Sequence, residues 1–216
     1  MAILTWDGTG SRYFETGVDR GVLYPMGASS YDKGVAWNGL TTVTESPSGG
    51  EATKSYADNI AYMTLVSAEE FGGTIEAFTY PPEFGVCDGT ASPVLGVSVG
   101  QQARKQFGLS YRTKIGNDVA GQNLGYKIHV IWGCLATPSE KAYATINDSP
   151  EAISFSWEFT TSGVVTSGYN PISLITIDST KITPAKLTAI ESKLYGTSTV
   201  EPALPTPAEL ITLATV

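Results

Sequence analysis

The sequence predicts a mainly β domain, an antiparallel sandwich or barrel, and three observations carry that expectation. Apolar and polar residues alternate strictly in several short segments, the period that places every second side chain on one face of a half-buried strand. Turn-forming clusters (GNDVAGQN, ATPSEK, NDSPE and SGVVTSGYNP) separate those segments. The 216-residue chain also carries 23 Gly, 12 Pro and 11 Tyr, a composition suited to turns and strands.

Taken in order, DGTGSRYFETGVDRG is polar and Gly-rich, and GVAWNGL is the first strand candidate. TVTESPSGGEATKSYADN, residues 42–59, reads as a polar loop between two apolar segments. Structureless loops of this length are uncommon inside compact domains and tend to be functional or disordered. Gly49 and Gly50 widen its unfolded choices, while Pro47 and Ser48 discourage regular pairing. Thr44 to Asp58 is therefore expected to be flexible in a free subunit. SAEEFGG predicts one helical turn from Ser67, with Glu69 and Glu70 as first-turn acids.

GTIEAF is the next strand. LSYRTKI puts Leu109, Tyr111, Thr113 and Ile115 on one face, with Ser110, Arg112 and Lys114 opposite. YKIHVIW gathers Tyr126, Ile128, Val130 and Trp132 on its core face and leaves Lys127, His129 and Ile131 on the other. ISFSWEFT aligns Ile153, Phe155, Trp157 and Phe159, and SLITID closes the set. Glu76 and Glu158 fall on the polar sides of their strands. In TPAKLTAIESKLYG, Thr183 is the N-cap, Pro184 the first helical residue and Gly196 the stop. Leu187, Ile190 and Leu194 give that helix one apolar stripe, to be laid on a sheet. TSTVEPALP reads as an extended linker, and TPAELITL as a short helix opened by a Thr206–Glu209 capping box. The expected organisation is a β domain over 1–196, with an N-terminal arm, followed by a C-terminal arm over 197–216.

Chemistry is sparse. His129 is the single histidine, so any Ser-His-Asp or Cys-His arrangement must use it. Its position away from the core face predicts a surface or interface residue that is not catalytic. One histidine with distant Cys87 and Cys134 does not make a four-ligand zinc site. Glu69 and Glu70 are neighbours that do not face each other, and GTGSR lacks the Lys-Ser/Thr of a phosphate loop. The Asn147 triplet matches a glycosylation sequon in form only. The opening MAILTW has no basic region ahead of an apolar run, and KIHVIWGCLA is too short to span a bilayer. The expectation is intracellular assembly with both thiols reduced, no cofactor and no enzyme activity. A net charge of -8 argues against gripping nucleic acid through phosphates. Within that acidic chain, Arg104, Lys105, Arg112 and Lys114 form a basic stretch free of acids. A subunit-contact or ion-pairing strand, or a solvated edge, fits it better than DNA binding.

A series of stretches, in order, resembles the major tail tube proteins of bacteriophages with long non-contractile tails. They are GVLYPMG (21–27), YDKGVAWNGLTTVTESPSGGEAT (31–53), YADNIAYMTLVSAEEFGGTIEAFTYPPEF (56–84), GQQARKQFGLSYRTKIGND (100–118), PSEKAYATINDSPEAISFSWEFTT (138–161) and LPTPAEL (204–210). Together they span nearly the whole chain.

The resemblance implies a tail-tube-type β-sandwich of two packed antiparallel sheets with a flanking helix. It also implies hexameric rings stacked into a tube around a tape-measure protein. The tube would be capped by a tail terminator, joined to distal tail or baseplate proteins, and crossed by viral DNA without sequence-specific binding. Such a virion component, assembled in the bacterial host cytoplasm, contacts no membrane. The family's long loop and terminal arms bridge neighbouring subunits. Here that points to Thr44, Glu45, Ser46, Pro47, Ser48, Gly49, Gly50, Glu51, Ala52 and Thr53. A conduit for DNA should present acids to its bore, for which Glu76 and Glu158 are candidates. Two rivals remain: an extracellular carbohydrate-binding or adhesion sandwich using Tyr31 and Trp37, and a carboxylate-pair enzyme.

Overall fold

The computed structural model describes residues 3–146, 148 and 151–215, so Asn147 and Ser149 of the sequon lie outside the described residues. The strands are β1 (Tyr13–Pro25), β2 (Val35–Trp37), β3 (Leu40–Glu45), β4 (Ser48–Gly49), β5 (Ala52–Ala57), β6 (Ile60–Val66), β7 (Glu69–Glu70) and β8 (Gly72–Ala77). After a 3₁₀ turn over Pro82–Val86 come β9 (Ala91–Val94), β10 (Val97–Val99), β11 (Phe107–Asn117), β12 (Gly121–Ala136), β13 (Phe155–Thr161) and β14 (Leu174–Asp178). The helices are α1 (Pro184–Tyr195) and α2 (Pro207–Thr215).

The fold is mainly β, as expected. Its centre is one eight-stranded antiparallel sheet in the order β2-β1-β11-β12-β13-β8-β3, with β14 also paired to β12. The two sheets of the expectation are two parts of this continuous sheet, which turns over on itself. The turn is made in β12. One edge of β12 pairs with β11 along most of its length. The other pairs with β14 over 127–131 and with β13 over 134–136. Gly133 sits at the handover with φ +65°, and a Cβ there would lie 2.2 Å from the Ser162 carbonyl oxygen. Its own carbonyl accepts the Ser162 N–H at 3.0 Å, and its N–H donates to the Tyr31 hydroxyl at 2.8 Å.

The folded-over sheet encloses one core, and the helices cover another. Inside lie Leu23, Trp37, Ile75, Phe84, Phe107, Leu109, Tyr111, Ile131, Trp157 and Phe159. Aromatic edges meet there, with Trp37 to Phe84 at 4.6 Å and Phe84 to Trp157 at 5.1 Å between ring centroids, spacings at which ring quadrupoles add to the burial gain. On the opposite face of β1, β11, β12 and β14, Val22, Tyr24, Ile128, Val130, Trp132 and Ile177 pack under Ile190, Leu194 and Leu210 of the helices. Strand β12 is therefore buried on both faces. Ile131, expected opposite the core, belongs to the inner core, because alternation cannot distinguish a solvent face from a second core.

The helix signals behave as chemistry requires. Thr183 takes an extended N-cap conformation before Pro184, and Gly196 ends α1 at φ +77°. The Thr206 N–H donates to Glu209 Oε2 at 2.9 Å, and the Glu209 N–H to Thr206 Oγ1 at 3.3 Å. The segment after Gly196 lies along the body. Trp132 Nε1 donates to the Pro205 carbonyl at 2.9 Å, and the Ala203 N–H to the Lys193 carbonyl at 2.9 Å.

Three expectations about the elements change, and one element is new. The Gly-rich N-terminal stretch is largely β1, whose pairing tolerates register shifts at Thr16/Val18 and Asp19/Val22. The segment from Ser67 forms β7, paired with β4, instead of a helical turn. The 42–59 segment is not a structureless loop but one side of a long hairpin. A second hairpin, β9–β10, had no counterpart in the sequence reading.

The corner generates a prediction. Gly121 is also left-handed, at φ +59°, but has nothing within 4 Å of an added Cβ. Alanine at Gly121 should cost about 1–2 kcal/mol, the strain of a left-handed non-glycine residue. Alanine at Gly133 should cost clearly more, because the methyl also collides with Ser162. Urea midpoints of the two variants check this.

Candidate assembly surfaces

The hairpin begins where β3 and β8 leave the sheet. It continues as β4–β7 and then β5–β6. Gly49, at φ +83°, lies so close to Ala68 that a Cβ would come within 2.6 Å of its carbonyl oxygen, so glycine is required there. The tip is a two-residue turn in which Asp58 (φ 52°) and Asn59 (φ 63°) are both left-handed, the geometry that matches strand twist in tight hairpins. At ~3.3 Å per residue, the strand from Ser46 to the tip extends about 40 Å.

Nearly every residue of this arm is exposed. Tyr56 is 69% exposed, Ile60 63%, Tyr62 66%, Leu65 58% and Val66 65%. An isolated two-stranded hairpin is marginal in water, and contiguous exposed apolar side chains mark interaction sites. The β9–β10 hairpin repeats the pattern on a smaller scale, with Val94, Leu95 and Val97 exposed around Gly96. Of the ten loop residues singled out, Thr44 and Glu45 end β3 and the rest climb the arm. Pro47 and Glu69 line a cleft of about 720 Å³ at its base, facing Asn170–Leu174.

Glu45 also reaches into the body. Its Oε1 accepts the Tyr111 hydroxyl at 2.5 Å and lies 3.1 Å from His129 Nδ1. The His129 ring stacks on Tyr111, centroids 4.7 Å apart and planes within 1°. Its Nε2 is 3.0 Å from Thr113 Oγ1. With the proton on Nδ1 donated to Glu45, neutral Nε2 can accept from Thr113. The histidine expected at a surface or interface is part-buried within the single chain, its side chain 12% exposed. No sequence spacing joins Glu45, Tyr111 and His129. Register does: Tyr111 and His129 are direct partners across β11 and β12.

The basic stretch is not one surface. Arg112 is held bidentately by Asp19, at 2.7 and 2.8 Å, and sits 4.5 Å from the Tyr126 ring centroid. Arg104 precedes β11. Its Nη2 donates to the Asp88 carbonyl at 3.1 Å and lies 3.8 Å from Asp88 Oδ1, while Lys141 meets the other carboxylate oxygen at 2.5 Å. Acids of the same chain thus take both arginines, and only Lys105 and Lys114 stay exposed. Glu76 and Glu158 do sit on the polar face of adjacent strands β8 and β13, beside Thr74 and Ser156. That face lies opposite the aromatic core.

The two aromatics named for carbohydrate binding are drawn into the fold. Trp37 is buried in the inner core, out of reach of a sugar, and Tyr31 is half-buried against Gly133. Cys87 and Cys134 are buried free thiols; burial pushes Cys87 up to about 12 and Cys134 well above its usual range, which keeps the reactive thiolate scarce. Among the described residues no cluster of His, Cys, Asp and Glu could hold a metal ion, and no helix is long and apolar enough to cross a membrane.

No protein-family model matches the chain, and no curated protein matches it. Among solved structures, the chain is similar to one from the extended sheath-tube complex of an extracellular contractile injection system (PVC). That match has 13% identity and a TM-score of 0.32, over 74% of this chain and 88% of the other. It is also similar to one from the extended sheath/tube terminator of that system, at 11% identity and TM-score 0.29, over 73% of this chain and 93% of the other.

Two carboxylates give a pH prediction. The Arg112 guanidinium holds Asp19 below its ordinary range, and hydrogen bonding from His129, then Tyr111, does the same for Glu45. A depressed carboxylate stabilises the fold above its unfolded pKa and loses that contribution as pH falls through its folded value. Stability should hold from neutral pH to the ordinary carboxylate range and fall below it. The double variant Asp19→Asn, Glu45→Gln should be less stable at neutral pH and lose less on acidification. Urea midpoints across that range check both halves.

Proposed function

We propose that this chain is the structural subunit of a bacteriophage tail tube of the long non-contractile type. The observation that carries the reading is the arm, about 40 Å of ordered hairpin with apolar side chains in solvent. Such an element has little to gain in a lone subunit and much to gain against another copy, where burying apolar surface contributes ~25 cal/mol per Å². The ordered series of resembling stretches supports the same reading.

In it, subunits close into hexameric rings, and each arm lies on a neighbouring subunit. The rings stack around a tape-measure protein, end at a terminator and join distal tail or baseplate proteins. Assembly takes place in the bacterial host cytoplasm, and the product is part of the virion. The polar face carrying Glu76 and Glu158 turns toward the bore. DNA bears about one charge per 1.7 Å of axis and would stick to a basic wall. A net charge of -8 per subunit supplies a weakly repelling one. The chain's role is to conduct the genome, with no catalytic step.

The test is negative-stain microscopy of concentrated protein, which should contain tubes or stacked rings. Met63→Lys with Leu65→Lys should leave a folded monomer, by circular dichroism, and reduce the assembled fraction at least about tenfold, the scale for losing anchors at an interface centre. Monodisperse monomers at all concentrations, or tubes unaffected by the two lysines, would refute the reading.

A further inference from the structure

We infer that Glu45, with His129 and Tyr111, forms the joint that sets the direction in which the arm leaves the body. The inference goes beyond the proposed role, because it concerns the free subunit whatever the arm later touches.

Glu45 is the last residue of β3, so the arm begins at the next peptide. From there each of the arm's two strands is tied to the body, and the Phe71 side chain packs against the inner core. On the β8 side, the Phe71 carbonyl accepts the Thr161 hydroxyl at 2.7 Å and the Thr161 N–H at 3.1 Å, and the Ser46 N–H donates to the Gly72 carbonyl at 2.8 Å. Those bonds continue a ladder, and a ladder alone lets a two-stranded ribbon swing about its own edge. The second tie is Glu45. It crosses from edge strand β3 to β11 and β12, whose Tyr111 and His129 rings are held by their stack, with Thr113 on His129 Nε2. The carboxylate therefore meets two donors whose own positions are fixed, Tyr111 being 2% exposed. Two separated ties define an angle where one does not.

The leverage is large. Over an arm of about 40 Å, a swing of about 10° at the base moves the tip about 7 Å, more than the spacing between neighbouring strands. An arm whose contact surface is built from side chains such as Tyr56, Tyr62 and Leu65 needs its direction set more tightly than that. The cleft beside Pro47 and Glu69, open toward Asn170–Leu174, leaves the arm room to swing if Glu45 lets go.

Glu45 is thus a positioning residue, and the decisive readout is geometry in the monomer. Nitroxides on Lys54→Cys in the arm and Ala189→Cys on α1 report the angle as a pulsed-EPR distance distribution; the native cysteines are buried. The parent should give one narrow distance. Glu45→Gln, which keeps an acceptor for Tyr111 but removes the charge, should broaden or split it. Amide exchange in β4 and β7 should then rise about tenfold while β11 and β12 stay protected, since local opening need not involve the core. Tyr111→Phe should do the same through the other donor. Glu69→Gln, in the same cleft but outside the joint, should leave the distribution unchanged. An unaltered distribution in both Glu45→Gln and Tyr111→Phe, or a lowered urea midpoint without any change in distance, would overturn the inference. Because every measurement is made on monomers, failure of the joint and failure of tube assembly are separate results.

Discussion

Much of this structure rests on what happens at Gly133. Strand β12 gives one edge to β11 and must divide the other between β14 and β13. The division needs a residue that turns left-handed with the Ser162 backbone almost in van der Waals contact, and only glycine has no Cβ to place there. Upstream of the corner, β14 stays in line, and the helices find an apolar face to cover. Downstream, β13, β8 and β3 fold over and close the aromatic core. Shifting the corner by one residue would exchange the faces of Ile131 and Trp132 and put each into the wrong core. The Tyr31 hydroxyl on the Gly133 N–H and the Trp132 indole on Pro205 fasten separate segments to the same corner.

Away from that corner, the energetics change character. The body buries aromatics from most of its strands, whereas the arm is held by ladder hydrogen bonds and little else. Backbone bonds contribute modestly in net terms, and ordering costs roughly 1–2 kcal/mol per residue. The arm is therefore the part of the molecule whose stability is most open to being supplied from outside, and the cluster at Glu45 is where that part meets the rigid part.

Charge is distributed unevenly. The arginines that stand out in an acidic sequence are consumed internally, Arg112 by Asp19 and Arg104 by Asp88, which also takes Lys141. Pairs of this kind, partly shielded from solvent, keep much of their attraction, where fully exposed ones contribute little. What is left for the exterior is an acidic excess, part of it on the β8–β13 face with Glu76 and Glu158.

Local chemistry was legible in the sequence wherever a local rule governs. The strands at LSYRTKI, ISFSWEFT and SLITID, the Pro184 start and Gly196 stop of α1, and the Thr206–Glu209 box follow from side-chain period, missing amide protons and reciprocal capping. Segment 42–59 was visible as unusual, but its strand pairing was not. Gly49 and Gly50 read as breakers until the facing strand shows why glycine is needed, and the Asp58–Asn59 turn lacks the glycine that usually marks a tight hairpin. The second core was hidden because alternation reports two faces without saying what covers each. The meeting of Glu45, Tyr111 and His129 was hidden for a stronger reason. It depends on the register of β11 against β12 and on a sheet that folds over, and these are properties of pairing between distant segments. Sequence alone determined the strands with strict alternation and the bounds of both helices, where a local rule governs. Tertiary structure alone decided which of their faces meet, because that choice is made by partners 16 to 170 residues away.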